Sequence, residues 1–119
     1  MLAEELQIYK DTFQLCVLLT NHIRNVSREV KFSDYADVRR DAKNALNVIF
    51  VINSDIHSRA KNIERYLYYV SNVKSSVRLL HEAKYLNTKF TTHVMWYIDK
   101  LNKQAIGWRN SALRNSQNR

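Results

Sequence analysis

FTTHVMWYIDKLNKQAIGWRNSALR, residues 90–114, is the stretch whose spacing decides the fold. Phe90, Val94, Tyr97, Leu101, Ala105, Trp108 and Ala112 recur at intervals of three and four, the spacing of one buried helix face. At 100° per residue, Lys89, Lys100, Lys103, Gly107 and Arg114 fall on the opposite face. Gly107 is the only glycine in the chain. A glycine inside a helix costs roughly 1 kcal/mol relative to alanine, which suggests that something approaches the backbone closely there. The competing reading makes Gly107 a C′ cap with a frayed tail beyond it.

Composition points the same way. With 119 residues, no proline and one glycine, the chain is long enough for one core but has almost no turn chemistry, so a few long helices are expected. The formal charge is +8. Residues 1–58 are near neutrality, with seven Lys/Arg against eight Asp/Glu, whereas residues 59–119 hold twelve against three. The second half therefore builds the basic field, and an anionic partner is expected. A lone Cys16 among Leu15, Val17 and Leu18 cannot form an internal disulfide and fits a reducing cytoplasm. The opening MLAEELQ lacks the basic-then-apolar order of a signal peptide, and no apolar run reaches spanning length, so neither secretion nor a membrane span is expected.

Three further helical segments precede the last one. Residues 2–26 carry one apolar line through Leu2, Leu6, Tyr9, Phe13, Cys16 and Ile23, and a second, about 100° away, through Ile8, Leu15, Leu19 and Val26. One core needs one stripe, so the surplus points to cover by a second chain. A polar connection over 27–32 leads to Ser33 or Asp34 as N-cap, with Asp37 in the first turn. The next segment places Tyr35, Val38, Ala42, Ala45, Ile49, Ile52 and Ile56 inward and leaves Phe50 and Val51 off the stripe. A turn is expected near 57–60. Ile63, Tyr66, Leu67, Val70, Val73, Val77 and Leu80 then face inward, and Asn87-Thr88 separate this segment from the last. The four segments predict an all-α, up-down-up-down four-helix bundle, a single domain over 1–114, with 115–119 a disordered basic tail. Self-association is assigned to Ile8, Leu15, Leu19, Val26, Phe50, Val51 and Gly107.

The residues of several chemistries are missing. A di-iron bundle needs Glu-x-x-His pairs, and none of His22, His57, His81 or His93 has an acidic residue three or four positions away. Apolar neighbours make Cys16 a core thiol rather than a nucleophile. One glycine cannot make a phosphate loop, and the carboxylates are not paired for acid–base work. No enzyme, metal or cofactor is expected. What remains is basic surface with aromatic interleaving. Lys61/Arg65 and Lys74/Arg78 are like-signed i,i+4 pairs, each mildly destabilising by about 0.2–0.5 kcal/mol unless an anion compensates them. Trp96 falls on the basic face beside Lys89, Lys100 and Lys103, an arrangement of single-strand binders, although it would equally suit packing against a neighbouring chain. Arg78 and Arg109 offer bidentate forks for phosphate or carboxylate. With Arg59, Lys84 and Arg114 these complete the candidate binding surface.

The segments LQIYKDTFQLCVLL (6–19), SSVRLLHEAKYLNTKF (75–90) and KLNKQAIGWRNS (100–111) together resemble the accessory variability determinants of diversity-generating retroelements, within a wider family of four-helix-bundle proteins. Tyr9, Arg78-Leu79-Leu80, Ala83-Lys84 and Ile106-Gly107-Trp108 carry the likeness, which covers about residues 6–111. It implies a protomer assembling into a barrel-shaped homopentamer. It also implies association with the element's reverse transcriptase and with template RNA or DNA during mutagenic copying, the basic surface contacting one or both. Ser27-Arg28 stands where such proteins often have a proline-basic step, so the path into the second helix can differ. Proteins encoded in ribosomal-RNA intervening sequences share the pattern. They imply the alternative of a structural assembly protein whose basic face docks an acidic protein.

Overall fold

Gln7–Asn21 (α1), Arg28–Lys31 (α2), Asp34–Ser54 (α3), Arg59–Glu82 (α4) and Thr88–Gln117 (α5) make up an all-helical bundle in the computed structural model, which describes residues 1–117. α1 packs against α3 and α5, and α4 packs against the same two from the other side. Side-chain contacts set the directions. The Tyr35 hydroxyl donates to Leu19 O while Asn53 Nδ2 reaches Met1 O at 3.0 Å, so α1 and α3 are antiparallel. His22 stacks on Phe90 with ring centroids 3.5 Å apart, and Asp11 meets Gln104 further along, so α1 and α5 are antiparallel too. His81 meets Thr88 at 3.1 Å, and Arg109 meets Glu64 at 2.8 Å, closing α4 on α5.

The first segment is not one helix. A 3₁₀ turn, Ala3–Glu5, precedes an extended Leu6 (φ −71°, ψ 138°), and a second 3₁₀ turn, His22–Asn25, ends at an extended Val26. Asn21 precedes that second turn and Asn25 is its last residue, both weak helix formers. Within the expected connection, Ser27 caps the short α2 by accepting from Glu29 N at 3.3 Å, and Val30 anchors it in the core.

The two apolar lines of α1 are sorted by the fold. Ile8, Leu15, Leu19 and Val26 lie in the protomer's own core, so their assignment to a second chain is overturned. Phe13 is exposed, while Tyr9 and Cys16 are half-buried. The buried face of α1 also holds Asp11 and Thr12, whose polarity hides it from an apolar count. Both are satisfied. Thr12 Oγ1 donates to Ile8 O at 2.6 Å, so its single proton is spent and the Tyr66 hydroxyl, 2.8 Å away, is the donor to it.

Elsewhere the inward residues are as expected with local shifts. Ile56 is exposed, because α3 stops at Ser54 and the connection comes two residues earlier than its expected place. In α5, Phe90, Val94, Leu101 and Ala105 are buried and joined by Ile98, while Tyr97, Trp108 and Ala112 are half-buried. The expected tail is corrected for 115–117, which continue α5; the remainder of that tail lies outside the described residues. Gly107 lies inside α5 without positive φ, so it is not a C′ cap. A Cβ built on it meets nothing within 4 Å.

Candidate nucleic-acid interface

The outer face of α5 follows from its core stripe. Lys89, Trp96 and Lys103 are seven residues apart, as are Lys100, Gly107 and Arg114. Seven residues of helix rise about 10 Å and end about 20° short of two full turns, so the two rows merge into one narrow band. Lys89, Trp96, Lys103, Gly107 and Arg114 are all exposed, Trp96 at 56%. Among the described residues, Lys89, Lys103 and Arg114 have no ion-pair partner. Asp99, the carboxylate of α5 itself, lies about 60° around the helix from Trp96.

Lys100 is held at the edge of this band. Its Nζ lies 5.1 Å from the Trp96 ring centroid and 3.4 Å from Asp11 Oδ1. Asp11 also accepts from Gln7 at 3.0 Å and from Gln104 at 2.8 Å. Burial alone would raise the Asp11 carboxyl, but the hydrogen bonds from Gln104, Gln7 and Lys100 outweigh it and hold it below the ordinary value. The carboxylate stays charged and fixes the lysine beside the indole. Tyr97 meets Trp96 edge-on at 4.9 Å, which helps to hold the indole plane. An exposed ring with a cation over it can accept a base by stacking while the ammonium neutralises phosphate.

Two of the candidate cations are diverted. Arg59 donates from Nε to Ile52 O and from Nη2 to Asn53 O, both at 2.8 Å, and its guanidinium sits 5.6 Å over Trp108. It therefore caps α3 and is removed from the binding surface. Arg109 donates from Nη1 to Glu64 Oε1 at 2.8 Å, an ion pair within the protomer.

The others do not form one site. Lys61 and Arg65 sit about 140° around α4 from Lys74 and Arg78, and roughly 20 Å away along the axis. All four are exposed, and Arg65 reaches the Tyr69 hydroxyl at 3.4 Å. Lys84 ends α4 in the left-handed region at φ 73°. Its N–H donates to His81 O and that of Tyr85 to Leu80 O, a paired C-terminal closure in which glycine is the usual residue at the Lys84 position.

Charge counting by halves missed Arg39, Arg40 and Lys43, which lie on the outer side of α3. Three cations within five residues were the available signal. Phe50 and Val51 are exposed at 41% each, as a second-chain surface requires. Phe50 meets Tyr9 edge-on at 5.5 Å, and Tyr9 stacks on Phe13 at 6.2 Å, giving a small aromatic patch across α1 and α3. Burial pushes the Cys16 thiol up to about 11, against the opposing pull of Lys43 and Arg39, so it is not a thiolate. Among the described residues, no three His, Cys, Asp or Glu side chains gather where a metal could bind, and no helix is long and apolar enough to cross a membrane. No protein-family model matches the sequence, and a search of curated proteins finds no match.

Proposed function

We propose that the protein is a non-enzymatic, cytoplasmic nucleic-acid-binding accessory protein that engages single strands along the outer face of α5. The observation that carries this reading is the exposed Trp96, with Lys100 over its ring, in line with Lys89, Lys103 and Arg114. The four long helices are read as an up-down-up-down protomer. The sequence resemblance supplies the setting: the accessory subunit of a diversity-generating retroelement, associating with reverse transcriptase and template RNA and assembling as a homopentamer. The Tyr9, Phe13 and Phe50 patch with Val51 supports self-association, since exposed aromatics in contact are favoured at interfaces.

Binding should weaken with salt, the log–log slope being about −0.7 per phosphate neutralised on a single strand. Charge reversal at Lys89, Lys103 and Arg114 should weaken all sequences alike, because phosphate contacts carry no sequence information. Trp96→Ala should reduce affinity about 5- to 150-fold, the loss of one stacking contact of about 1–3 kcal/mol. Salt-independent binding would overturn the electrostatic part. The second reading, a structural assembly protein with a basic face for an acidic protein, rests on the same aromatic patch. It predicts an oligomer that purifies free of nucleic acid at low salt.

A further inference from the structure

α3 and α5 occupy diagonal positions, since each packs against both α1 and α4, so their outer faces point away from one another. The outer face of α3 is basic as well. Ala36, Arg39, Arg40, Lys43, Asn44 and Asn47 line a shallow trough of about 380 Å³. The lining thus combines three cations and two amide side chains with one small apolar residue, all from α3. Asp37 pairs with Arg40 at 2.9 Å, but both groups are more than half exposed, so the pair is weak and exchangeable. Arg39 and Lys43 have no ion-pair partner among the described residues. Asp41 lies about 160° around the helix from both. Arg39 is half-buried, and its Nε is enclosed without a hydrogen-bond acceptor.

We propose that this trough is a second phosphodiester-binding face, so that one chain holds two single-stranded segments on opposite sides of the bundle. This rests on the α5 face being a nucleic-acid surface. A polyanion fits better than an acidic protein because Ala36 is the sole apolar residue of the lining. Protein interfaces centre on aromatic or aliphatic anchors, which this trough lacks.

The test counts strands per chain. A short labelled oligouridylate is titrated to saturation at low salt against the wild type, against Arg39→Gln/Arg40→Gln/Lys43→Gln, against Lys89→Gln/Lys103→Gln/Arg114→Gln, and against the combined variant. Glutamine retains helix propensity, and circular dichroism with solution mass confirms fold and assembly. Strands bound per chain should fall by about half in either triple variant and vanish in the combined one, each face keeping its own negative salt slope. The count is per chain and is compared only between proteins of the same solution mass, so that a change of assembly is not read as a lost face. Wild-type stoichiometry in the α3 variant, with binding lost in the α5 variant, would overturn this inference and leave the α5 reading intact. No binding by the wild type would overturn both. An α3 face that takes polyglutamate but no oligouridylate would overturn the phosphodiester assignment alone.

Discussion

Replacing Lys84 by glycine should make the protein more stable and a poorer nucleic-acid binder. Lys84 sits at φ 73°, where the Cβ of an L-residue crowds its own backbone at a cost of roughly 1–2 kcal/mol. Glycine occupies that region freely but loses more freedom on folding, about 0.5–1 kcal/mol, so the net gain is about 1 kcal/mol. For a chain of 119 residues that is a rise in Tm of roughly 3–5 °C. The backbone bonds from Lys84 N to His81 O (3.0 Å) and from Tyr85 N to Leu80 O (2.8 Å) need no side chain and should survive. Urea unfolding of wild type, Lys84→Gly and Lys84→Ala measures the gain, and alanine is the decisive control. It removes the charge but keeps the Cβ, so it should not stabilise. Equal stabilisation by alanine and glycine would refute the backbone reasoning and point to relief of charge repulsion. A strained position holding lysine rather than glycine suggests that the ammonium is used there. Both variants should then lower the salt slope of RNA binding by about 0.7. An unchanged slope would take Lys84 off the interface.

Gly107→Ala should stabilise the bundle by about 1 kcal/mol in thermal unfolding, since the site is helical and open; impaired assembly or binding would show that a second molecule approaches that backbone. Arg59→Ala should cost about 2–3 kcal/mol in urea midpoints by leaving the carbonyls of Ile52 and Asn53 uncapped and Trp108 uncovered. Arg59→Lys should recover only part of this, because a point charge cannot span both carbonyls. The folded-state carboxyl of Asp11 lies below its unfolded value, so its contribution is present above the ordinary carboxylate range, about pH 4, and is lost as pH falls through the lower folded value. Urea midpoints against pH should show that acid-side loss in wild type and a flatter profile in Asp11→Asn.

The α5 face was the most legible part because both of its signals are local. Core spacing fixes which side points outward, and the charges and Trp96 fall on that side whatever α5 packs against. Arg59 was misread for the opposite reason. An arginine at the start of one helix has the sequence appearance of a surface cation, and only the short connection of α3 to α4 brings its fork to Ile52 O and Asn53 O. Arg109 likewise became part of an internal pair through Glu64, 45 positions earlier. The basic face of α3 was hidden because Asp34, Asp37 and Asp41 of the same helix equal its three cations in a count, although only Asp37 pairs with one of them.

The all-helical class, the inner stripes of α3, α4 and α5, and the scarcity of turn residues were determined by the sequence alone, because periodicity and propensity act within a few residues of chain; the breaks around α1 and the short α2 were not. Which of the two apolar lines of α1 faces inward was decided only by the tertiary structure. Both have the spacing of a buried face. The choice falls to Ile8, Leu15 and Leu19 because that side also carries Thr12 and Asp11, and only there do Tyr66, Gln104 and Lys100 stand across the core to satisfy them. A buried polar group is tolerated where its partners are, and those partners lie more than fifty residues away in sequence.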